Sequence, residues 1–142
     1  MSVFKIPLGL CEDIQKAMAR FWWGTKQDRK GIHWARWERI SHSKARGGMG
    51  FRDLSSFNQA LVAKQGWRIM QFPSSLVAKV LKARYFKHTG FMNAGLGSKP
   101  SFVWRSIVWG RQVLHKGARW RIGNGQNELV YGNNWIPRPT TF

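Results

Sequence analysis

From Leu54 to Asn127 the chain contains no aspartate or glutamate, although lysine and arginine recur throughout that stretch. Solvated helices ordinarily intersperse both signs of charge, so a fold built on this segment must carry cations that no neighbouring carboxylate neutralises. Over the whole chain 24 Lys and Arg stand against 6 Asp and Glu, a formal charge of +18. Repulsion on that scale costs stability without an anionic partner, and the composition therefore points to a polyanion. With 142 residues, 43% of them hydrophobic, the chain suits a single domain over residues 1–142 and can bury a core. No run approaches the roughly 18 apolar residues of a membrane span. The N-terminus lacks a signal pattern, and Glu12 and Asp13 interrupt what a transit peptide would keep free of acids. A soluble, non-secreted protein with no membrane partner is expected. The single cysteine, Cys11, excludes an internal disulfide framework and fits a reducing compartment.

Periodicity predicts a mainly α fold. Leu10, Ile14, Ala17, Met18 and Phe21 share one face of a helix from about Leu10 to Trp23, opposite Glu12, Lys16 and Arg20, with Gly24 as its C-cap. Residues 25–52 carry Lys26, Arg29, Lys30, Arg36, Arg39, Lys44, Arg46 and Arg52 and are expected to be mostly loop, with short extended pieces at His33-Trp34 and Met49 to Arg52. Asp53 or Ser55 would cap a helix reaching Gln71, with Ala60, Ala63, Trp67 and Met70 on one side and Lys64 and Arg68 on another. After Pro73, Ser74 or Ser75 would cap a helix to Tyr85 that turns Val77, Val80 and Leu81 inward and Lys79 and Lys82 outward. A glycine-rich loop over 88–100 precedes a helix capped by Ser101 and ending at Gly117, with Val103, Ile107 and Leu114 on one face. The alternation from Arg119 to Ile122, the turn Gly123-Asn124-Gly125-Gln126 and the segment Leu129 to Tyr131 read as a C-terminal β-hairpin.

Catalysis finds little to work with. A two-metal polymerase or nuclease needs several carboxylates converging on Mg²⁺, whereas only Glu12, Asp13, Asp28, Glu38, Asp53 and Glu128 exist. Glu12 and Asp13 diverge by about 100° on a helix, and no Asp-Asp pair occurs. Cys11, His33, His42, His88 and His115 lie too far apart for a zinc signature, and no Gly-x-Ser-x-Gly elbow is present. Neither catalytic residues nor a metal site nor a cofactor is assigned to this segment.

Binding features are plentiful. Gly47-Gly48-Met49-Gly50, after Lys44-Ala45-Arg46, reads first as a tight turn and second as an anion-binding nest, without the Gly-Lys-Ser/Thr end of a P-loop. Lys79, Lys82, Arg84 and Lys87 form a basic stripe beside an apolar helix face, extended by Lys64 and Arg68; the missing acids turn the reading from a solvated face toward nucleic acid. The nucleic-acid-binding candidates are thus Lys44, Arg46, Arg52, Lys64, Arg68, Lys79, Lys82, Arg84 and Lys87. Trp22, Trp67 and Trp104 fit packing positions, while Trp34 and Trp37, inside the basic loop, are the candidates for base stacking.

The strings MSVFKIPLGLCEDIQKAMARFWWG, IHWARWERISHSKARGGMGFRDLSSFNQALVAKQGWRIMQFPSSLVAKVLKARYF, PSFVWRSIVWGRQVLHKGARWRIGNGQ and NNWIPRP span nearly the whole chain. In that order they resemble the region just downstream of the polymerase palm in plant non-LTR (LINE-type) retrotransposon reverse transcriptases. GGMGFRDL-x5-ALVAKQGWR is the most specific part. The chain is also similar to short uncharacterised open reading frames in plant mitochondrial genomes. It departs from the commoner family pattern mildly, at Met49, Asn124 and Tyr131.

The resemblance implies a thumb-like set of helices over 10–87, enclosing the basic loop 25–52, and a connection helix with hairpin over 101–142. The parent would be an RNA-directed DNA polymerase requiring Mg²⁺, with its catalytic aspartates upstream and its zinc-binding and RNase H regions beyond Pro139. This segment would grip template and primer without catalysing anything itself, and its partners would be RNA, DNA or their hybrid and the remaining regions of the parent. Localisation follows the source: nuclear or cytoplasmic for a retrotransposon product, mitochondrial for an organellar reading frame. A decayed relic and a general basic RNA-binding protein are the alternatives.

Overall fold

Short polar side chains that accept from an amide three residues on set the starts of three of the helices. The computed structural model describes residues 2–24 and 32–119. Its helices are α1 (Leu8–Trp23), α2 (Trp37–Ile40), α3 (Leu54–Gln71), α4 (Leu76–Tyr85) and α5 (Phe102–Gly117), with 3₁₀ turns at Lys44–Arg46 and Phe91–Asn93. Asp53 Oδ1 accepts from the Ser56 amide at 2.7 Å. Ser75 Oγ accepts from Ala78 at 3.3 Å and Ser101 Oγ from Trp104 at 3.2 Å. Each cap satisfies an amide with no partner inside its helix. Gly24 closes α1 at φ +68°, donating to the Phe21 carbonyl. The mainly helical expectation holds. Among the described residues there is no strand, so the extended pieces expected at His33-Trp34 and Met49 to Arg52 do not form a ladder. The described part of 25–52 is mostly loop, as expected, and also holds α2 and a 3₁₀ turn. The hairpin expected from Arg119 to Tyr131 lies, after its first residue, outside the described residues.

The core is centred on Trp104, which is fully buried. Tyr85 stacks on it at 4.7 Å between ring centroids and Phe86 at 5.7 Å, while Phe91 meets it edge-on at 6.2 Å. Its indole N–H donates to the Gly95 carbonyl at 3.2 Å, so the polar tip of a buried aromatic is satisfied. Arg111 reaches under the 3₁₀ turn and donates to the carbonyls of Phe91 and Ala94 at 2.8 and 2.6 Å, and burial lowers its pKa. α3 and α5 form the most extensive helix pair. Their approach depends on small residues: a Cβ on Gly110 would meet the Ala63 nitrogen at 2.7 Å, and one on Gly66 would meet Phe91 Cζ at 2.9 Å.

Two buried polar side chains tie the N-terminal segment to that pair. Asn58, on α3, accepts from the Ile6 amide and donates to the Phe4 carbonyl, both at 2.9 Å. Ser106, on α5, accepts from the Lys5 amide at 3.0 Å and donates to the Phe102 carbonyl.

Three faces turn differently from the periodicity. α1 buries Cys11 and Ala19, while Leu10, Met18 and Phe21 of the expected inner face are exposed, Phe21 by 88%. α1 also contacts α3. On α4, Ala78, Leu81 and Tyr85 face inward and Val77 and Val80 face out, because Tyr85 is fixed by Trp104 and by the Ser101 amide donating to its oxygen at 3.1 Å. On α3 the inner strip is Asn58, Val62, Ala63, Gly66 and Ile69, leaving Ala60 and Trp67 outside.

Candidate nucleic-acid interface

All nine predicted binding cations lie at the surface. Among the described residues the only ion pair joins Lys16 and Asp13 at 3.4 Å, so Lys44, Arg46, Arg52, Lys64, Arg68, Lys79, Lys82, Arg84 and Lys87 have no carboxylate partner there. Arg52 caps the Phe57 ring at 4.8 Å and Arg84 the Tyr85 ring at 5.5 Å. Both keep charge outward while covering apolar surface.

They are distributed over four successive stretches of the chain. Lys44 and Arg46 sit on the 3₁₀ turn and Arg52 next to the start of α3; Lys64 and Arg68 follow one exposed side of that helix. Lys79, Lys82, Arg84 and Lys87 lie past its far end, on and after α4. The 18 residues of α3 span about 27 Å at 1.5 Å per residue. Lys79 and Lys82 share one flank of α4, whereas Arg84, two residues further, turns about 200° away from Lys82. The expected single stripe on α4 is thus two flanks beside the exposed Val77 and Val80.

The glycine cluster proves to be a closed turn. The amides of Gly47, Gly48, Met49 and Gly50 donate to the carbonyls of Lys44, Ser43, Ile40 and His42 respectively. A nest would need them free for the anion. Gly47 and Gly50 take φ +75° and +78°, and a Cβ on Gly48 would collide with the His42 carbonyl. These are conformational demands that glycine meets.

The tryptophans separate by environment. Trp34 is 80% exposed. Trp37 stacks on Phe51 at 5.0 Å, and Trp22 meets the other side of that cluster at 4.8 Å, so Trp37 anchors the loop. Trp104 is core as expected, but Trp67 is 41% exposed and stands between Lys64 and Arg68 on the outer side of α3. Its flanking cations were visible in the sequence; its exposure depended on which strip of α3 met α5.

Among the clefts on the surface of the described residues are two of similar size. One, of about 820 Å³, lies between α1 and α2 and mixes Glu12 and Glu38 with Lys16, Arg20 and Arg36. The other, of about 740 Å³, lies between the end of α3, α4, the Phe91–Asn93 turn and the end of α5, and among the described residues no carboxylate lines it. Cys11 is buried, and burial, then Asp53 and Glu12, push its thiol pKa up, away from a reactive thiolate. Among the described residues no three His, Cys, Asp or Glu side chains gather where they could hold a metal ion.

No family model matches the chain, and no solved structure matches it. Two proteins of Arabidopsis thaliana are similar. The "Uncharacterized mitochondrial protein AtMg00310" is 42% identical over 137 residues, covering 96% of this chain and 89% of that protein. The "Putative ribonuclease H protein At1g65750" is 32% identical over 141 residues, covering 96% of this chain but 22% of its own length. The chain thus spans about a fifth of this longer relative.

Proposed function

Because the chain belongs to the family of that mitochondrial protein, we propose that it is a retroelement-derived polypeptide that binds RNA, DNA or their hybrid without sequence preference. It corresponds to the thumb and connection behind the palm of a non-LTR reverse transcriptase and carries no catalytic centre of its own. The parent would be a polymerase with Mg²⁺ at aspartates outside this segment. Similarity to part of a protein named for ribonuclease H supports a retroelement origin. The observation that carries the reading is the set of nine exposed cations, none paired to a carboxylate among the described residues.

Affinity for an RNA–DNA hybrid, measured against salt, tests it. Six to nine phosphate contacts give a log-log slope steeper than about −4; a flat response would sink the proposal. Primer extension with template, nucleotides and Mg²⁺ is expected to yield no product. A stand-alone organellar RNA-binding protein is the second reading, favoured by the 89% of the mitochondrial relative that the alignment occupies. Crosslinking of bound cellular RNA separates it from a polymerase part.

A further inference from the structure

We propose that the acid-free cleft at the end of α3 holds an unpaired nucleotide of single-stranded nucleic acid, its base stacked on Trp67. The inference rests on the nucleic-acid reading above and adds to it the strandedness of the ligand and the place where a base is held. Three observations converge on this cleft. Its volume, about 740 Å³, falls within the range of sites that enclose a small ligand. Its walls combine Trp67 and Met70 with Lys82, His115 and Arg119 on the same lining. Arg119 is held there by donating to the Lys116 and Ala118 carbonyls, both at 3.0 Å. Finally, no aspartate or glutamate occurs between Leu54 and Asn127, so no carboxylate of α3, α4 or α5 opposes a phosphate there.

Aromatic faces beside a cationic groove are the means by which proteins hold single strands, because every base has a stacking face and every nucleotide a phosphate. In a duplex those faces are covered by neighbouring bases, so Trp67 can discriminate where the exposed cations cannot. The cleft between α1 and α2 lacks this combination: Glu12 and Glu38 line it, and its Trp37 is spent on Phe51. Ribose and deoxyribose strands share the required chemistry.

The full chain is titrated with a short oligouridylate, the matching oligodeoxythymidylate and a blunt RNA duplex. Trp67→Leu, which keeps apolar bulk but removes the stacking surface, is expected to weaken both single strands roughly 5- to 100-fold and leave the duplex unchanged. Trp67→Phe should stay within about threefold of the parent, since a ring is retained. Lys82→Gln, at an exposed site that cannot compromise the core, should reduce the single-strand salt slope by about 0.7. The proposal is overturned if Trp67→Leu binds oligouridylate like the parent, or weakens duplex and single strand equally. In both cases a steep salt response on duplex would leave the broader nucleic-acid reading standing. Failure to bind any of the three probes overturns both.

Discussion

Trp104 and Trp37 are both large aromatics in the same chain, and their surroundings differ in almost every respect. Trp104 is fully buried, stacked with Tyr85 and Phe86 and met edge-on by Phe91, and its N–H has a carbonyl. Trp37 stacks on Phe51, yet its buried N–H, like that of Trp23, finds no partner among the described residues. The α3–α5 half closes its polar groups, through Arg111, Asn58 and Ser106, before it excludes water. The α1–α2 half rests on small contacts and leaves Leu10, Met18 and Phe21 in solvent. Among the described residues Arg111 is the one cation drawn toward the aromatic core, where two carbonyls accept from it, while the nine candidate binding cations stay at the surface.

The largest expected effect breaks the contrast at its strong side. Trp104→Ala should cost about 3–5 kcal/mol, the usual range for emptying a buried aromatic site, which is a large share of the roughly 5–15 kcal/mol that holds a domain together. Phe21→Ala, by contrast, should move stability by no more than about 0.5 kcal/mol, since its side chain is already in water. Urea denaturation of both variants measures the difference. Comparable losses would show that α1 is packed as tightly as α5. A sharp transition in the parent would also count against a decayed relic, which should melt without cooperativity.

A smaller effect of opposite sign in the two halves comes from adding one methyl group. Gly110→Ala places a Cβ against the backbone of α3, at 2.7 Å from the Ala63 nitrogen, where no flexible side chain can yield. A loss of about 1–3 kcal/mol is expected from forcing the helices apart, despite alanine's better helix propensity. Gly9→Ala faces open space near the start of α1 and should stabilise by up to about 0.5–1 kcal/mol. Thermal melts of the pair check the signs, and a loss at Gly9 would mean that the outer side of α1 is covered.

How much of this was legible in the sequence follows the range of the interaction responsible. The caps at Asp53, Ser75 and Ser101 act over three residues, and so they could be read directly. The facing of α1 and α4 could not, because it is set by partners far along the chain. Hydropathy favours Phe21, Val77 and Val80 as core, whereas the contact surfaces use Cys11, Ala19 and Ala78, whose value is their small size. Asn58 reads as a solvent residue until residues 4–6 are laid across it, and Trp67 reads as core until Gly66 claims the inner strip. For the site, the basic residues and their exposure were legible because charge dictates both. The cleft was not, since it joins Trp67, Lys82 and Arg119 from three separate elements.

The smallest expected effect sharpens the comparison at the point where the two halves meet. Asp53 caps α3 through Ser56 and also accepts from the Gln15 side chain of α1 at 3.0 Å. The hydrogen bonds from Ser56, followed by those from Gln15 and Ser55, hold its carboxyl below the ordinary aspartate range against a burial effect of opposite sign. A pKa depressed by folding contributes stability that is fully present above the unfolded value, near 3.9, and is lost as pH falls through the lower folded value. Stability should therefore decline through that acidic window in the parent. Asp53→Asn keeps an N-cap acceptor without the charge, so the part of the decline due to Asp53 should vanish, with a change of only about 0.5–1 kcal/mol at neutral pH. Gln15→Ala should leave most of the pH dependence in place, because Ser56 supplies the larger share. If it removed as much as Asp53→Asn does, α1 would be anchored to α3 more firmly than its exposed face implies, and the contrast between the halves would narrow.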